Sequence, residues 1–245
     1  MPLSHELERL GNWFFQWRSY LPLLLLIFFL FALYDLAQVP GRRLPGPAWE
    51  LFCLAVSTLG LVVRVLTVGF VPRGTSGRNT RSQVADVLNT SGIYSVVRHP
   101  LYLGNFLMWL GIALFLRVWW LALIIVLIFW LYYEKIMYAE EAFLRKKFGE
   151  RFTAWAEQTP LFIPQPSRWQ APALKFSWRS ALKREYASYF AMISIFFSLH
   201  LLSRLWLQRT LALDFLWVII FGVSLLFYLT VRFLKKKTNL LADDR

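Results

Sequence analysis

One short segment of the chain combines residue types that bind charged ligands. It runs Arg98-His99-Pro100-Leu101-Tyr102-Leu103-Gly104, and the acidic pair Glu140-Glu141 follows it. Pro100 favours the first turn of a helix, because the N–H that proline lacks has no partner there. His99 is then expected at the N-cap, beside Arg98. A helix N-terminus attracts anions through its free N–H groups and partial positive charge, so this segment is expected to bind a carboxylate or phosphate.

The acidic residues are expected near the end of a second helix. Glu134 precedes Glu141 by one heptad, so the two are predicted to share a helix face. If the chain turns back between the two motifs, an anion-binding helix start faces a pair of carboxylates. Such a site suits a zwitterion with an amino group and a carboxylate. Gly104 and Gly111 share a face of the first helix, where close approach of a ligand or close helix packing explains them equally well.

Long apolar blocks must position these motifs. Of 245 residues, 58% are hydrophobic and only 17% are charged, whereas a soluble domain carries about a quarter of charged residues. Four blocks reach the roughly 17–25 residues that cross a bilayer, namely residues 20–39, 48–71, 186–207 and 211–234. The fifth apolar region, 101–133, is broken only by Arg117 and is predicted to form a tight helical hairpin turning there, with its second arm reaching Phe148.

The predicted fold class is therefore all-α, a polytopic membrane helical bundle of about six transmembrane helices that include this hairpin. The net charge is +13, and 21 of the 27 Lys and Arg residues fall on one side if the N-terminus is cytoplasmic. The positive-inside rule explains most of this charge, and attraction of anionic lipid headgroups is the alternative. The positive-inside rule predicts that both termini, residues 140–185 and the binding site lie on the cytoplasmic side. Arg42, Arg43 and Arg209 are predicted on the opposite side.

Neither nucleic acid nor a metal ion is expected as a ligand. No basic segment is long and aromatic enough to track a nucleic acid strand. The single cysteine, Cys53, allows no disulfide within the chain, and no metal site is predicted. Residues 3–19 are predicted to form an amphipathic helix in the membrane interface.

The ordered set of motifs over residues 88–165 resembles the superfamily of isoprenylcysteine carboxyl methyltransferases and phospholipid methyltransferases. Besides the two motifs above, the set includes Thr90-Ser91-Gly92-Ile93-Tyr94, Glu141-x-x-Leu144-x-x-x-Phe148-Gly149 and Phe162-Ile163-Pro164. The resemblance implies S-adenosyl-L-methionine as cofactor, held at the cytoplasmic ends of the hairpin helices. The residues that it assigns to cofactor binding are His99, Leu101, Tyr102, Leu103, Gly104, Glu140, Glu141, Phe162 and Pro164.

The same resemblance makes Arg98, Glu134 and Glu140 the candidate catalytic residues. A carboxylate or phosphate acceptor needs no base, whereas an amine must lose a proton, for which Glu134 or Glu140 would serve. It also divides the chain into a methyltransferase-like core, 1–165, and an interfacial segment with two further transmembrane helices, 166–245. The acceptor is expected to be a membrane amphiphile, by preference a lipid headgroup.

Three alternatives remain open at this point. The acceptor is a prenylated cysteine in the first. The second is a sterol-type reductase using NADPH, although Leu101 and Asn105 stand where that related motif has Asn and Glu. The third is a lipid-binding or transport protein without enzymatic activity. Outside the motifs, Arg64 is expected to pair with Glu50, Asp35 or a lipid phosphate, and His200 with Arg204.

Overall fold

The structure, a computed structural model, describes residues 2–18, 20–38, 45–72, 83–209 and 213–241. The described residues contain no β-strand, and a single bridge joins Gly92 to Gln170. The all-α fold class predicted from the sequence is confirmed. Arg42 and Arg43, which the topology prediction uses, lie outside the described residues.

Eight α-helices lie in the described part of the chain. They are α1 Leu3–Trp17, α2 Leu26–Gln38, α3 Pro47–Phe70, α4 Pro100–Phe115, α5 Trp119–Phe148, α6 Glu150–Gln158, α7 Trp178–Gln208 and α8 Phe215–Lys237. Of these, α3, α5, α7 and α8 are long and apolar enough to cross a membrane. The stretch Leu23–Gln38 and helix α4 are shorter apolar helices. The predicted helical bundle is therefore present.

Helices α4 and α5 form the predicted hairpin. α4 ends at Phe115 and α5 begins at Trp119, and Arg117 between them has a φ of 55° that helps reverse the chain. The 16 residues of α4 span about 24 Å at about 1.5 Å per residue, slightly less than the hydrocarbon core. α5 continues past the apolar region to Phe148. Both the turn and the end of the second arm agree with the prediction.

Glycines allow α3 and α4 to pack closely. A Cβ at Gly104 would lie 2.7 Å from the carbonyl oxygen of Gly60 and 2.5 Å from Cγ of Arg64. A Cβ at Gly111 would overlap the side chain of Ser57. Helix packing, one of the two explanations offered by the sequence, therefore accounts for both Gly104 and Gly111.

Helix α1 packs against the polar end of α5. Gly11 faces α5 so closely that a Cβ there would overlap the carbonyl oxygen of Lys135. The Tyr132 hydroxyl donates to the carbonyl of Phe14 at 2.9 Å, and the two rings are in contact. The helix predicted for residues 3–19 is present as α1 and is held against α5 by a specific helix–helix contact. Its position in the membrane interface stays a prediction.

At the opposite end of the bundle, α7 and α8 are joined to the start of α3. Buried Glu50 accepts a hydrogen bond from Trp217 Nε1 at 2.7 Å and lies 3.1 Å from His200 Nδ1. Arg204 pairs with Asp214, the N-cap residue of α8, at 3.4 Å. The expected pairing of His200 with Arg204 is wrong, because each residue has an acid of its own from another helix.

Candidate active site

The hairpin brings the two motifs together where α4 begins and α5 passes beyond its apolar part. His99 is the N-cap residue of α4, and Pro100 lies in its first turn, as predicted. Nη1 of Arg98 lies 2.9 and 3.0 Å from the two carboxylate oxygens of Glu141. Nε2 of His99 lies 3.1 Å from Oε1 of Glu141. Because a carboxylate only accepts hydrogen bonds, the imidazole nitrogen is the donor.

Glu140 extends the cluster toward the first turn of α4. It accepts a 2.6 Å hydrogen bond from the Tyr102 hydroxyl, and its second oxygen lies 3.7 Å from His99 Nδ1. His99 therefore sits between both carboxylates. The Arg98 guanidinium is paired with Glu141, whereas the hydrogen bond that Glu140 accepts comes from an uncharged phenol. The side chains of the cluster are largely screened from solvent, which strengthens their interactions with a ligand.

Loops on both sides hold the cluster in place. The backbone N–H of Arg98 donates to the carbonyl of Pro160, and that of Gln165 donates to Val96, both at 2.9 Å. These bonds place residues 160–165 beside the motif. Phe162 packs edge-on against Phe106 of α4 and Trp130 of α5. The loop that the resemblance assigns to the cofactor is thus anchored on the hairpin itself.

Tyr94 approaches the acids from the loop before α4. Burial and the Glu140 carboxylate raise the pKa of its phenol above the ordinary value, and the Arg184 guanidinium opposes this shift in part. The hydroxyl therefore stays protonated at neutral pH and can donate a hydrogen bond. The backbone carbonyl of Tyr94 accepts from Trp155 Nε1 of α6 at 3.2 Å, which fixes the loop.

The cluster offers groups complementary to a zwitterionic cofactor. Nε of Arg98 is buried and has no hydrogen-bond partner among the described residues. An unpaired buried donor costs free energy, and a guanidinium N–H binds a carboxylate well. The carboxylates of Glu140 and Glu141 suit an ammonium or sulfonium group. S-adenosylmethionine carries a carboxylate, an ammonium and a sulfonium, so the residues present fit it.

Residues 52–151 match the model of the protein family described as phospholipid methyltransferase. The matched segment covers 100 of the 245 residues and resembles that family. It contains the hairpin and every member of the cluster: Arg98, His99, Tyr102, Glu140 and Glu141. The family resemblance inferred from the motifs is confirmed. Because four of the described helices are long and apolar enough to cross a membrane, the chain is an integral membrane protein.

Three curated relatives are similar to parts of the chain. A nickel-cobalt-cadmium resistance protein of Alcaligenes xylosoxydans xylosoxydans is 34% identical over 135 residues, 54% of this chain and 60% of the relative. A cobalt-zinc-cadmium resistance protein of Cupriavidus metallidurans is 36% identical over 113 residues, 45% of this chain and 50% of the relative. The protein-S-isoprenylcysteine O-methyltransferase of Schizosaccharomyces pombe is 35% identical over 78 residues, 32% and 33% respectively.

The chain thus spans between a third and three-fifths of the length of these relatives. No solved structure matches it.

Several predicted site residues of the methyltransferase domain lie apart from the cluster. Glu134 is exposed on α5 and makes no described contact with the cluster. Gly104 faces α3. Leu101 and Leu103 are partly buried in the first turn of α4, where the N–H of Leu103 donates to the carbonyl of His99.

Of the loop that follows the domain, Phe162 reaches the hairpin, whereas Pro164 is exposed. The structure therefore brings Arg98, His99, Tyr102, Glu140 and Glu141 together and adds Phe162 at their edge. The cofactor-binding and catalytic roles of all these residues stay predictions.

A second group of polar side chains lies beside the motifs and was not predicted from the sequence. Arg64 of α3 pairs through Nε and Nη2 with both oxygens of Glu185 on α7, at 2.9 and 2.8 Å. Its Nη1 donates to Oδ1 of Asn105, and Asn105 Nδ2 donates to the Tyr133 hydroxyl at 3.2 Å. The expected pairing of Arg64 with Glu50 or Asp35 is wrong, because α7 supplies a carboxylate at the same depth.

Proposed function

We propose that this protein is an S-adenosylmethionine-dependent methyltransferase whose acceptor is the headgroup of a membrane amphiphile. The observation that carries the proposal is the cluster of Arg98, His99, Tyr102, Glu140 and Glu141 within a phospholipid methyltransferase domain. When bound, the cofactor supplies a methyl group carried on a sulfonium. The site is proposed to face the cytoplasm, where the cofactor is dissolved.

Different residues of the cluster are proposed to bind different groups of the cofactor. Arg98, with its unpaired Nε, is proposed to take the carboxylate of the cofactor. Glu140 and Glu141 are proposed to take its ammonium group. Phe162, packed on the hairpin, helps exclude water from the reaction centre, which matters because charge is dispersed in the transition state of methyl transfer.

The proposed acceptor is a lipid headgroup, with a prenylated cysteine as the alternative. Basic residues of segments 72–97 and 140–185 favour an anionic or zwitterionic lipid at the surface. The acceptor is proposed to enter from the bilayer, between the apolar helices. Residues 1–165 are proposed to form the methyltransferase-like core, and residues 166–245 an interfacial segment with two further transmembrane helices.

Cofactor binding tests the proposal directly. Titration calorimetry of the purified protein with S-adenosylmethionine should show binding that weakens in Glu141→Ala and His99→Ala by about 1–3 kcal/mol each, the value of a hydrogen bond to a charged group. Glu157→Ala, which removes an exposed acid of α6, is the matched control and should bind normally. Unchanged affinity in both folded site variants would exclude this site, and binding of NADPH instead would indicate the reductase.

The acceptor is tested with a methyl-labelled cofactor. Incubation with a total lipid extract, and separately with a farnesylated cysteine, should label the lipid. Label on the farnesylated cysteine alone would contradict the choice of a lipid headgroup and leave the methyltransferase activity intact.

A further inference from the structure

Four helices contribute to a hydrogen-bonded chain on the bilayer side of the cofactor cluster. It runs from Glu185 of α7 through Arg64 of α3 and Asn105 of α4 to the hydroxyl of Tyr133 on α5. Asn105 follows His99 by six residues on the same helix, which places it roughly 9 Å deeper along α4 at about 1.5 Å per residue. The ring of Tyr133 lies 4.8 Å from that of Tyr102, which bonds Glu140. The chain therefore ends next to the cluster.

The direction of this chain is fixed by Arg64. A guanidinium has five donors and no acceptor, so the amide oxygen of Asn105 must face it. The amide nitrogen must then face Tyr133, and the phenol oxygen is the acceptor of that hydrogen bond. The phenol proton of Tyr133 is consequently available to another group, and no acceptor for it lies among the described residues. Tyr133 is only 6% exposed, so this donor is held inside the protein.

Glu185 keeps the charge of Arg64 in place. Its carboxylate binds the guanidinium through two hydrogen bonds, and its side chain is 5% exposed. A buried arginine without such a partner would be strongly unfavourable. Successive hydrogen bonds polarise one another in a low dielectric. The positive charge of Arg64, at the other end of the hydrogen-bonded chain, therefore strengthens Tyr133 as a donor.

We infer that Tyr133, set by Glu185, Arg64 and Asn105, is the acceptor-binding donor of the site, and that the methyl acceptor is an oxyanion, a carboxylate or a phosphate, of a membrane amphiphile. This inference rests on the proposed methyltransferase function and narrows it. A donor hydroxyl stabilises an anionic oxygen, and the oxygen that is not methylated needs such a partner. An amine acceptor requires the opposite, a group that accepts its proton.

The positions of the acids agree with this assignment. Glu134, which would serve as base for an amine, is exposed and lies apart from the cluster. Glu140 already accepts the hydrogen bond of Tyr102. With an oxyanion no base is needed, because a carbon–oxygen bond forms while the carbon–sulfur bond of the methyl donor breaks and its electron pair remains on sulfur. The products are a methyl ester and a neutral thioether, and no proton is released.

The test identifies the atom that receives the methyl group. The full-length protein is incubated with methyl-labelled S-adenosylmethionine and, in parallel, with phosphatidic acid, a farnesylated cysteine, phosphatidylethanolamine and a total lipid extract. Mass spectrometry then assigns each product as O-methyl or N-methyl. Phosphatidic acid tests a phosphate as the acceptor, and the farnesylated cysteine tests a carboxylate.

Tyr133→Phe removes only the hydroxyl and keeps the ring stacked on Phe129. We expect it to lower kcat/KM for the O-methylated acceptor about ten- to a hundredfold, the value of a hydrogen bond to a charged group, with the affinity for the cofactor within twofold of wild type. The matched control is Tyr228→Phe on α8, which removes a phenol that accepts a hydrogen bond from Arg232, as that of Tyr133 accepts one from Asn105. It should behave as wild type.

Label on nitrogen alone, or wild-type O-methylation by Tyr133→Phe, overturns the inference and leaves the methyltransferase function standing. Cofactor binding without O-methylation in any arm also counts against it. Absence of cofactor binding by the wild-type protein would instead remove the proposed function, and the inference with it.

Discussion

Arg98 binds its partner through one end of the guanidinium only. Nη1 reaches both oxygens of Glu141, whereas Nε is buried and has no partner among the described residues. A lysine at this position would keep the charge and one contact to Glu141. It would not reproduce the fork of donors, because an ammonium is a point charge at the end of a flexible chain.

Arg98→Lys should therefore weaken binding of S-adenosylmethionine by about tenfold without unfolding the protein, since one charge-assisted hydrogen bond is lost. Calorimetry with two ligands checks the cause. The affinity for 5′-methylthioadenosine, which lacks the amino-acid part, should not change. An equal loss for both ligands would show that Arg98 does not bind the carboxylate.

Tyr94, in the 3-10 turn Ile93–Ser95 before α4, lies within the electrostatic influence of Glu140. The raised pKa of its phenol, caused by burial and Glu140, keeps the hydroxyl protonated at neutral pH. The phenol therefore adds no pH dependence near neutrality.

Among the elements, the contact between α3 and α4 depends on the absence of side chains. Gly104→Ala should destabilise the protein by about 1–3 kcal/mol, the cost of overpacking, because the new Cβ would meet both the Gly60 carbonyl and Arg64. Thermal unfolding in detergent measures this as a lower midpoint temperature. Gly222→Ala on α8 is the control, since a Cβ there meets nothing within 4 Å. Equal midpoints for the two variants would contradict the packing role of Gly104.

The hairpin was predictable because its signals are local. Pro100 marks a helix start, Arg117 interrupts an apolar run, and Gly149 ends α5. The meeting of His99 with Glu141 follows from the turn alone. Each of these features depends on residues within one supersecondary unit.

The partners of Arg64 and the position of α1 were not predictable in this way. Glu185 lies 121 residues beyond Arg64 in the sequence, and hydropathy does not determine which face of α7 meets α3. Amphipathic character predicts an interfacial position for α1 but does not select α5 as its neighbour. These contacts are set by packing between distant elements, for which a single sequence carries no direct signal.

For the whole molecule, the charge distribution predicts which side each end of the bundle faces. Ile163, beside the cluster, and Phe215, at the start of α8, are equally exposed at 80%. In a Cys53→Ala background, Ile163→Cys should react with a membrane-impermeant maleimide only after the cytoplasmic side is opened, and Phe215→Cys in intact cells. Because the two positions are equally exposed, the difference reports the membrane side. Labelling of both from the same side would contradict the six-span topology.

The ion pair between Arg64 and Glu185 also bears on how the protein is made. At a synthesis rate of about 5–20 residues per second, the 121 residues between them take roughly 6–24 s to emerge from the ribosome. Throughout that interval α3 lies in the membrane without this carboxylate, and a charged residue within a helix raises the free energy of insertion. Completion of α7 ends this interval, because Glu185 then becomes available to Arg64.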